Sequence, residues 1–309
     1  MTLSSRPPFP TAVDSSFLND LRSCVHKAYL SQMLHWKPKS TNIHLNAGGA
    51  FAKGLEVARK AYYDLSIDPQ SATIEGGKAL IAQYEEPSIE DADHAKSLPN
   101  MLGALGSYFQ VHPLDTDSLK PHRLPSGKPA IEFTFAIPLS ICNPETGEPI
   151  LYTGRCDMIG EYNGQLFVVD EKTTSGIGPT WFNNWALKSQ LTGYVWAARQ
   201  YGFDVAGAII RGIAILKREF KHAESIQYRP QWMIDRWYKQ TERDLARLIE
   251  CWKEDYYDYN LDSACSSYGG CQFLKICSSN NPEPWLEADF EKRVWDPLQH
   301  VEYVPLKEI

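Results

Sequence analysis

Apolar residues recur at helical spacing from Phe17 to Trp36, directly after Asp14-Ser-Ser, and this predicts a capped helix. The same periodicity predicts helices over about Ala50–Leu65, Ser71–Tyr84 and Ile89–Gln110. Scattered Pro, Asp, Ser and Gly then mark residues 113–129 as loop. Beyond them the texture changes to period two. Ala130–Ser140 alternates like a strand, Pro144-Glu-Thr-Gly147-Glu-Pro is a turn, and residues 150–173 read as two strands about a tight connection. A helix follows over Trp181–Tyr201, then a long apolar strand over Val205–Leu216 and a short one at Ser225–Tyr228. Pro230–Tyr257 reads as a long helix with charged and aromatic faces, and the tail is loop-rich. No internal repeat is visible.

Asn163-Gly164 stands between the two runs of the 150–173 segment, and Asn-Gly is the strongest short hairpin signal. With these as the turn residues, Tyr162 faces Gln165, and extending that register brings Asp157 opposite Asp170. Directly opposed residues have Cβ atoms roughly 5 Å apart, and like charges so placed repel. Lys172, two residues on, shares the face of Asp170. Two aspartates and a lysine in an apolar hairpin need a compensating charge, and a divalent cation is the simplest one. A strand-end Asp with a separate Asp170–Lys172 salt bridge is the plainer alternative. Phe167-Val-Val is apolar on both faces, as in a sheet covered on both sides.

The chain has 309 residues, 43% of them hydrophobic, which supports a sizeable core. No apolar run approaches the roughly 18 residues of a membrane span, and Met1–Pro10 lacks the apolar centre of a signal peptide. The expectation is a cytoplasmic, soluble protein, in the host cytoplasm if phage-encoded, with no membrane partner. Residues 1–13 read as a flexible arm and 14–280 as a single domain. That domain comprises a helical part (14–112), a central sheet core (130–217) and a long helix with a cysteine tail (230–280); 281–309 form an extension. A net charge of −7 does not advertise a nucleic-acid binder, although one basic face would suffice. Local candidates are Lys37 and Lys39; Lys53, Arg59 and Lys60; Lys217, Arg218, Lys221 and His222; and Arg236, Lys239, Arg243 and Arg247, each also readable as a solvated helix face.

Gly154-Arg-Cys-Asp157 followed by Val168-Val-Asp170-Glu-Lys172-Thr resembles the PD-(D/E)XK nuclease superfamily, specifically its RecB-like branch. The resemblance covers roughly residues 15–280 and implies a restriction-endonuclease-like α/β fold with an αβββαβ core. It implies that Asp157 and Asp170 bind Mg²⁺ or Mn²⁺ and that Lys172 is catalytic. The Glu171 carbonyl is a candidate further ligand. Gln190-Leu-Thr-Gly-Tyr194 looks like the Gln…Tyr motif of the branch, with both side chains on one helix face. Gly48-Gly-Ala-Phe-Ala52-Lys-Gly-Leu-Glu56 is similar to a Gly-x-x-x-His-x-x-x-Glu motif, but Ala52 stands where the family often has a metal-binding His. Glu56, or Glu132 on the first strand, is then the candidate third protein ligand.

Seven cysteines in a chain without an export signal favour a metal site over disulfides. Cys265, Cys271 and Cys277 lie within thirteen residues, around Gly269-Gly270, and Cys24 is the fourth candidate. One N-terminal and three C-terminal cysteines resemble the iron–sulfur staple of AddB-type and CRISPR-associated RecB-like nucleases, which implies a structural 4Fe-4S cluster. Four thiolates also suit Zn²⁺, and free buried thiols are the third possibility. Cys142, Cys156 and Cys251 read as packing residues.

Together these features predict a metal-dependent DNA nuclease, an exonuclease acting on single-stranded or duplex DNA ends in recombination or repair. Its compact size suits a phage, mobile-element or CRISPR-associated enzyme. No Walker-type phosphate loop is present, so any ATP-driven unwinding falls to a partner such as a helicase. The rivals are a non-catalytic DNA-end-binding or adaptor module on the same fold, favoured by Ala52, and an endonuclease.

Overall fold

In the computed structural model, residues 6–40, 43–85, 95–266 and 270–298 are described. The chain opens with β1 (Ala12–Val13), α1 (Ser15–Ser23), α2 (Val25–Ala28), a π-helical turn at Tyr29–Met33 and β2 (Trp36–Pro38). Three helices follow: α3 (Ile43–Tyr63), α4 (Pro69–Gln83) and α5 (Leu98–Val111). Then come β3 (Lys120–Pro121), β4 (Ile131–Cys142), β5 (Pro149–Tyr162), β6 (Gln165–Thr174), α6 (Pro179–Asn183), α7 (Ser189–Gln200), β7 (Val205–Ile215) and β8 (Phe220–Tyr228). The chain continues through α8 (Gln231–Glu254), α9 (Ser263–Ser266), α10 (Leu274–Cys277), α11 (Glu283–Asp289) and β9 (Phe290–Lys292). This is a mixed α/β protein of the restriction-endonuclease-like type. No helix among the described residues is long and apolar enough to cross a membrane.

The chain forms two compact units: Met1–Ser40, Phe135–Gly154 and Asp235–Tyr303 make one, and Thr41–Thr134, Arg155–Ile234 and Val304–Ile309 the other. In the first unit, β1 pairs in parallel with the start of β5, Ala12 against Leu151 and Val13 against Tyr152. The arm expected at 1–13 is therefore partly structured: Phe9 and Val13 are buried, and an apolar side chain next to a short strand gains more from burial than it loses in chain entropy. The helix expected over Phe17–Trp36 starts on its predicted cap, with Asp14 Oδ1 accepting from the Phe17 amide at 2.7 Å. It breaks at Cys24, which is extended (φ −167°, ψ 126°). Arg22 ties α1 to α8 through Asp244 at 2.6 Å and Thr241 at 2.9 Å. Tyr29 stacks on Tyr257 with ring centroids 3.9 Å apart.

In the second unit α3, α4 and α5 share one apolar core, with Phe51, Leu55, Leu80, Met101, Leu105 and Ile213 at its centre. A Cβ on Gly76 would lie 2.5 Å from the Gly54 carbonyl oxygen, so α3 and α4 cross at backbone contact. The expected Ile89–Gln110 helix is seen from Leu98, with Pro99 in its first turn, while residues 86–94 lie outside the described part. The helix expected over Trp181–Tyr201 is two helices. Between them the Trp185 carbonyl accepts from the buried Arg229 guanidinium at 2.6 Å and from the Lys188 amide at 3.3 Å. The strand expected at Ser225–Tyr228 begins five residues earlier, at Phe220.

The hairpin has the predicted register. Asn163 (φ 50°) and Gly164 (φ 74°) are both left-handed, as the tight hairpin turn requires. The pairs run from Tyr162–Gln165 to Met158–Val169. β6 continues the sheet in parallel with β7, and β7 pairs antiparallel with β8.

Candidate active site

The β5–β6 ladder ends at Met158–Val169, one step before Asp157 and Asp170. There the strands open, and the Asp157 carboxylate accepts from the Glu171 amide at 2.7 Å. Asp170 is buried, and Lys172 Nζ donates to its Oδ1 at 2.8 Å. Its Oδ2 is also 2.8 Å from that ammonium, but it is buried without a well-aligned hydrogen bond. Burial pushes the Asp157 carboxyl well above the usual carboxylate range, and the charges on Asp170 and Glu171 push it further. Burial alone would lower Lys172, but Asp170 and Asp157 outweigh it and hold the ammonium charged. Tyr194 lies on α7, where Gln190 Nε2 donates to its hydroxyl at 3.1 Å. Burial raises that phenol, with the Asp170 and Asp157 charges adding to the effect. Asp157 and Asp170 thus lie beside Lys172, and Tyr194, bonded to Gln190, senses both aspartates.

Two other predicted carboxylates are placed differently. Glu132, the second residue of β4, is in a left-handed conformation (φ 55°), which costs a non-glycine residue roughly 1–2 kcal/mol. Its Oε2 lies 2.7 Å from Arg155 Nε. Burial raises its carboxyl to about 7, against the lowering effect of Arg155. Glu56 on α3 is gripped by Lys53 and Lys60, both at 2.9 Å. Those contacts lower its pKa against the opposing effect of burial. Ala52 is on the same helix.

The other face of β6 carries a network that sequence reasoning missed. Glu171 points away from Asp170 and is nearly buried; Arg59 Nη1 donates to its Oε2 at 2.8 Å, Arg59 Nη2 to its Oε1, and the Tyr108 hydroxyl to Oε1 at 2.9 Å. Burial would raise Glu171, but Arg59 pulls it down to about 2. Across the sheet Glu171, Arg211 and Glu224 stand in register, and Arg211 binds Glu224 at 2.8 Å and Asp117 at 2.9 Å. The available signal was the single arginine in the otherwise apolar run Val205–Ile215. Among the proposed basic surfaces, Lys53 and Lys60 hold Glu56, Lys221 pairs with Glu219, Lys239 with Glu242 and Arg247 with Asp258.

In the other unit, Cys24, Cys265, Cys271 and Cys277 line one small pocket with Tyr259 and Phe273. Burial, with smaller contributions from Cys271, Cys24 and Cys265, raises the Cys277 thiol to about 12. The Cys271 amide donates to the Cys265 carbonyl at 2.9 Å. Gly270 supplies a left-handed turn (φ 100°) before Cys271, while Gly269 lies outside the described residues. Cys156 and Cys251 are buried as packing residues should be, but Cys142 is exposed. Among the described residues, no three His, Cys, Asp or Glu side chains are grouped to hold a single metal ion.

A mixed sheet with an Asp on one strand and Asp-x-Lys on the next defines, by fold and site, an α/β nuclease. The chain belongs to the PD-(D/E)XK nuclease superfamily, whose family model matches residues 16–278. No curated protein matches it in sequence. It is similar to a provisionally named exonuclease from Eubacterium rectale, with 10% identity and a TM-score of 0.49 over 82% of this chain and 87% of that one. A second solved structure, SSO0001, shows 15% identity and a TM-score of 0.32 over 85% of this chain and 93% of that one. The family assignment rests on the sequence match.

Proposed function

We propose that this protein is a Mg²⁺- or Mn²⁺-dependent DNase of the RecB-like branch, hydrolysing phosphodiesters from DNA ends. The observation that carries this reading is the buried Asp157–Asp170 pair, with a buried Asp170 oxygen lacking a well-aligned partner and Lys172 beside it. Two desolvated hard-oxygen donors fit a divalent cation. Asp157 and Asp170 would hold it, with Glu132, on the strand β4 that pairs with β5, and the Glu171 carbonyl as further candidates. Glu56, committed to two lysines, is the weaker candidate. When bound, such a cation acidifies a water and offsets charge building on the phosphate.

The chain's own groups do the rest. Lys172, charged and fixed on Asp170, orients the attacking water and neutralises phosphate charge. Tyr194 and Gln190, hydrogen-bonded to each other, hold the site's α7 wall and offer hydroxyl and amide contacts to substrate. Asp157, anchored on the Glu171 amide, fixes the strand spacing.

The cysteine cavity supports a structural 4Fe-4S cluster. Four cysteines line one space, and among the described residues they are not grouped as for a single ion. A cluster is wider than one Zn²⁺, so its thiolates stand further apart. It would clasp the N-terminal helices to the cysteine tail.

The test uses labelled linear and circular DNA. The protein should degrade linear DNA in Mg²⁺ or Mn²⁺, spare circles and stop in EDTA. Asp170→Ala should lower the rate at least about 10³-fold while keeping the wild-type circular dichroism spectrum. Normal cleavage by that variant would sink the site assignment. Discrete cuts in circles would mean an endonuclease, and binding without loss of label would mean a DNA-end adaptor.

A further inference from the structure

Arg155 is the residue the proposed chemistry leaves unused. It lies two residues before Asp157 on β5, and alternation gives it the face of Asp157, Asp170 and Lys172. Its side chain is 57% exposed, yet its Nε is 2.7 Å from Oε2 of Glu132, which is 10% exposed. That contact uses one edge of the guanidinium and leaves the Nη1/Nη2 fork, the shape that grips a phosphate in two places. Glu132 reaches Arg155 from a left-handed backbone, although its Oε2 is buried and gains no well-aligned hydrogen bond from the contact. Strain of this kind persists where surrounding structure imposes it, and it clusters at functional sites. Glu132 therefore has two competing demands: Arg155, and the Asp157 site beside it, because β4 pairs with β5 here and the Ile159 amide donates to the Ala130 carbonyl at 2.9 Å.

We propose that Arg155 is the phosphate-gripping residue of the site and that Glu132 holds it back until a divalent cation draws on that carboxylate. This rests on the nuclease reading above. Cation loading and DNA grip would then be coupled through one ion pair. Without cation, Glu132 neutralises Arg155; with cation, Arg155 is released toward the DNA backbone.

The test measures binding of fluorescein-labelled, phosphorothioate-linked duplex DNA to the full chain by anisotropy, in EDTA and in Mg²⁺, across a salt series. Wild type should bind several-fold tighter in Mg²⁺ than in EDTA. Glu132→Gln should bind several-fold tighter than wild type in EDTA. Arg155→Gln should lose most of the Mg²⁺ gain, and its log–log salt slope in Mg²⁺ should fall by about 0.9, one phosphate contact on duplex DNA. The double variant should match Arg155→Gln, and Arg155→Lys should restore part of the gain. If Glu132→Gln strengthens binding equally in the Arg155→Gln background, only a repelling charge was removed and the proposal falls. It falls too if Arg155→Gln leaves the Mg²⁺ gain and the salt slope unchanged. Wild type that degrades unmodified linear DNA while the variants bind alike overturns this coupling alone; wild type that neither cuts nor binds overturns the nuclease reading with it.

Discussion

Asp157 is held against its own chemistry. A carboxyl whose pKa is raised on folding contributes most below its unfolded value of about 3.9 and costs stability as pH climbs through the folded value. At neutral pH, without cation, the folded chain therefore carries a penalty there. Asp157→Asn, whose amide oxygen can still accept from the Glu171 amide, should raise the thermal midpoint in EDTA by about 2–4 °C. The same variant should lose the midpoint increase that Mg²⁺ gives wild type, and differential scanning fluorimetry reads both. Glu171 is the opposite case on the same strand. Arg59 depresses it to about 2, so its contribution is present above the unfolded value of about 4.3 and is lost as pH falls toward 2. Both partners are almost fully buried. Arg59→Leu should therefore cost about 3–5 kcal/mol in urea unfolding by stranding the Glu171 charge, while Arg59→Leu/Glu171→Leu should recover most of it. Equal losses in the single and double variants would show that packing, not charge, is at stake. The aspartates and Lys172 were legible because an Asn-Gly turn fixes register and register fixes neighbours. Arg59 and Tyr108 were not, because nothing local in a helix announces a partner on a distant strand.

At the scale of elements, short-range signals worked where the local chain decides conformation and failed where a distant side chain decides it. Asp14 caps α1 as its sequence predicts, and Asn163-Gly164 turns the hairpin. At the break between α6 and α7 the Trp185 carbonyl accepts from Arg229, 44 residues away in sequence, a partner no helical periodicity reveals. Helical glycines divide the same way. Gly76→Ala would force a Cβ to 2.5 Å from the Gly54 carbonyl, so α3 and α4 must separate. The expected cost is about 1–3 kcal/mol. Gly106→Ala on α5 meets nothing within 4 Å and should stabilise by about 0.4–1 kcal/mol through the unfolded chain. Chemical denaturation of the two variants should shift in opposite directions. A loss in both would mean that α5 has less room than its backbone implies.

For the whole molecule, the N-terminal helices and the cysteine tail belong to one compact unit, and Cys24 from the first and Cys265, Cys271 and Cys277 from the second line one pocket within it. Cys24 comes from the break after α1, and Cys265, Cys271 and Cys277 come from short tail helices and turns of four residues or fewer. Such pieces are far below the length at which helices hold in water, and the proposed cluster would add coordinate links to the burial of Phe273, Ile276 and Leu286 there. Under the proposed cluster the broken helix would have a purpose: an uninterrupted Phe17–Trp36 helix would not present an extended residue at Cys24. Protein purified anaerobically should carry iron and sulfide with thiolate-to-iron absorption. Each of Cys24→Ser, Cys265→Ser, Cys271→Ser and Cys277→Ser should lower the iron content, and hydrogen exchange should then rise in α1, α2 and the tail helices of the full chain. Bound zinc with a colourless spectrum would replace the cluster by a single ion and require the thiols to close together. Folded Cys271→Ser protein with unchanged absorption and unchanged exchange would show that these cysteines clasp nothing.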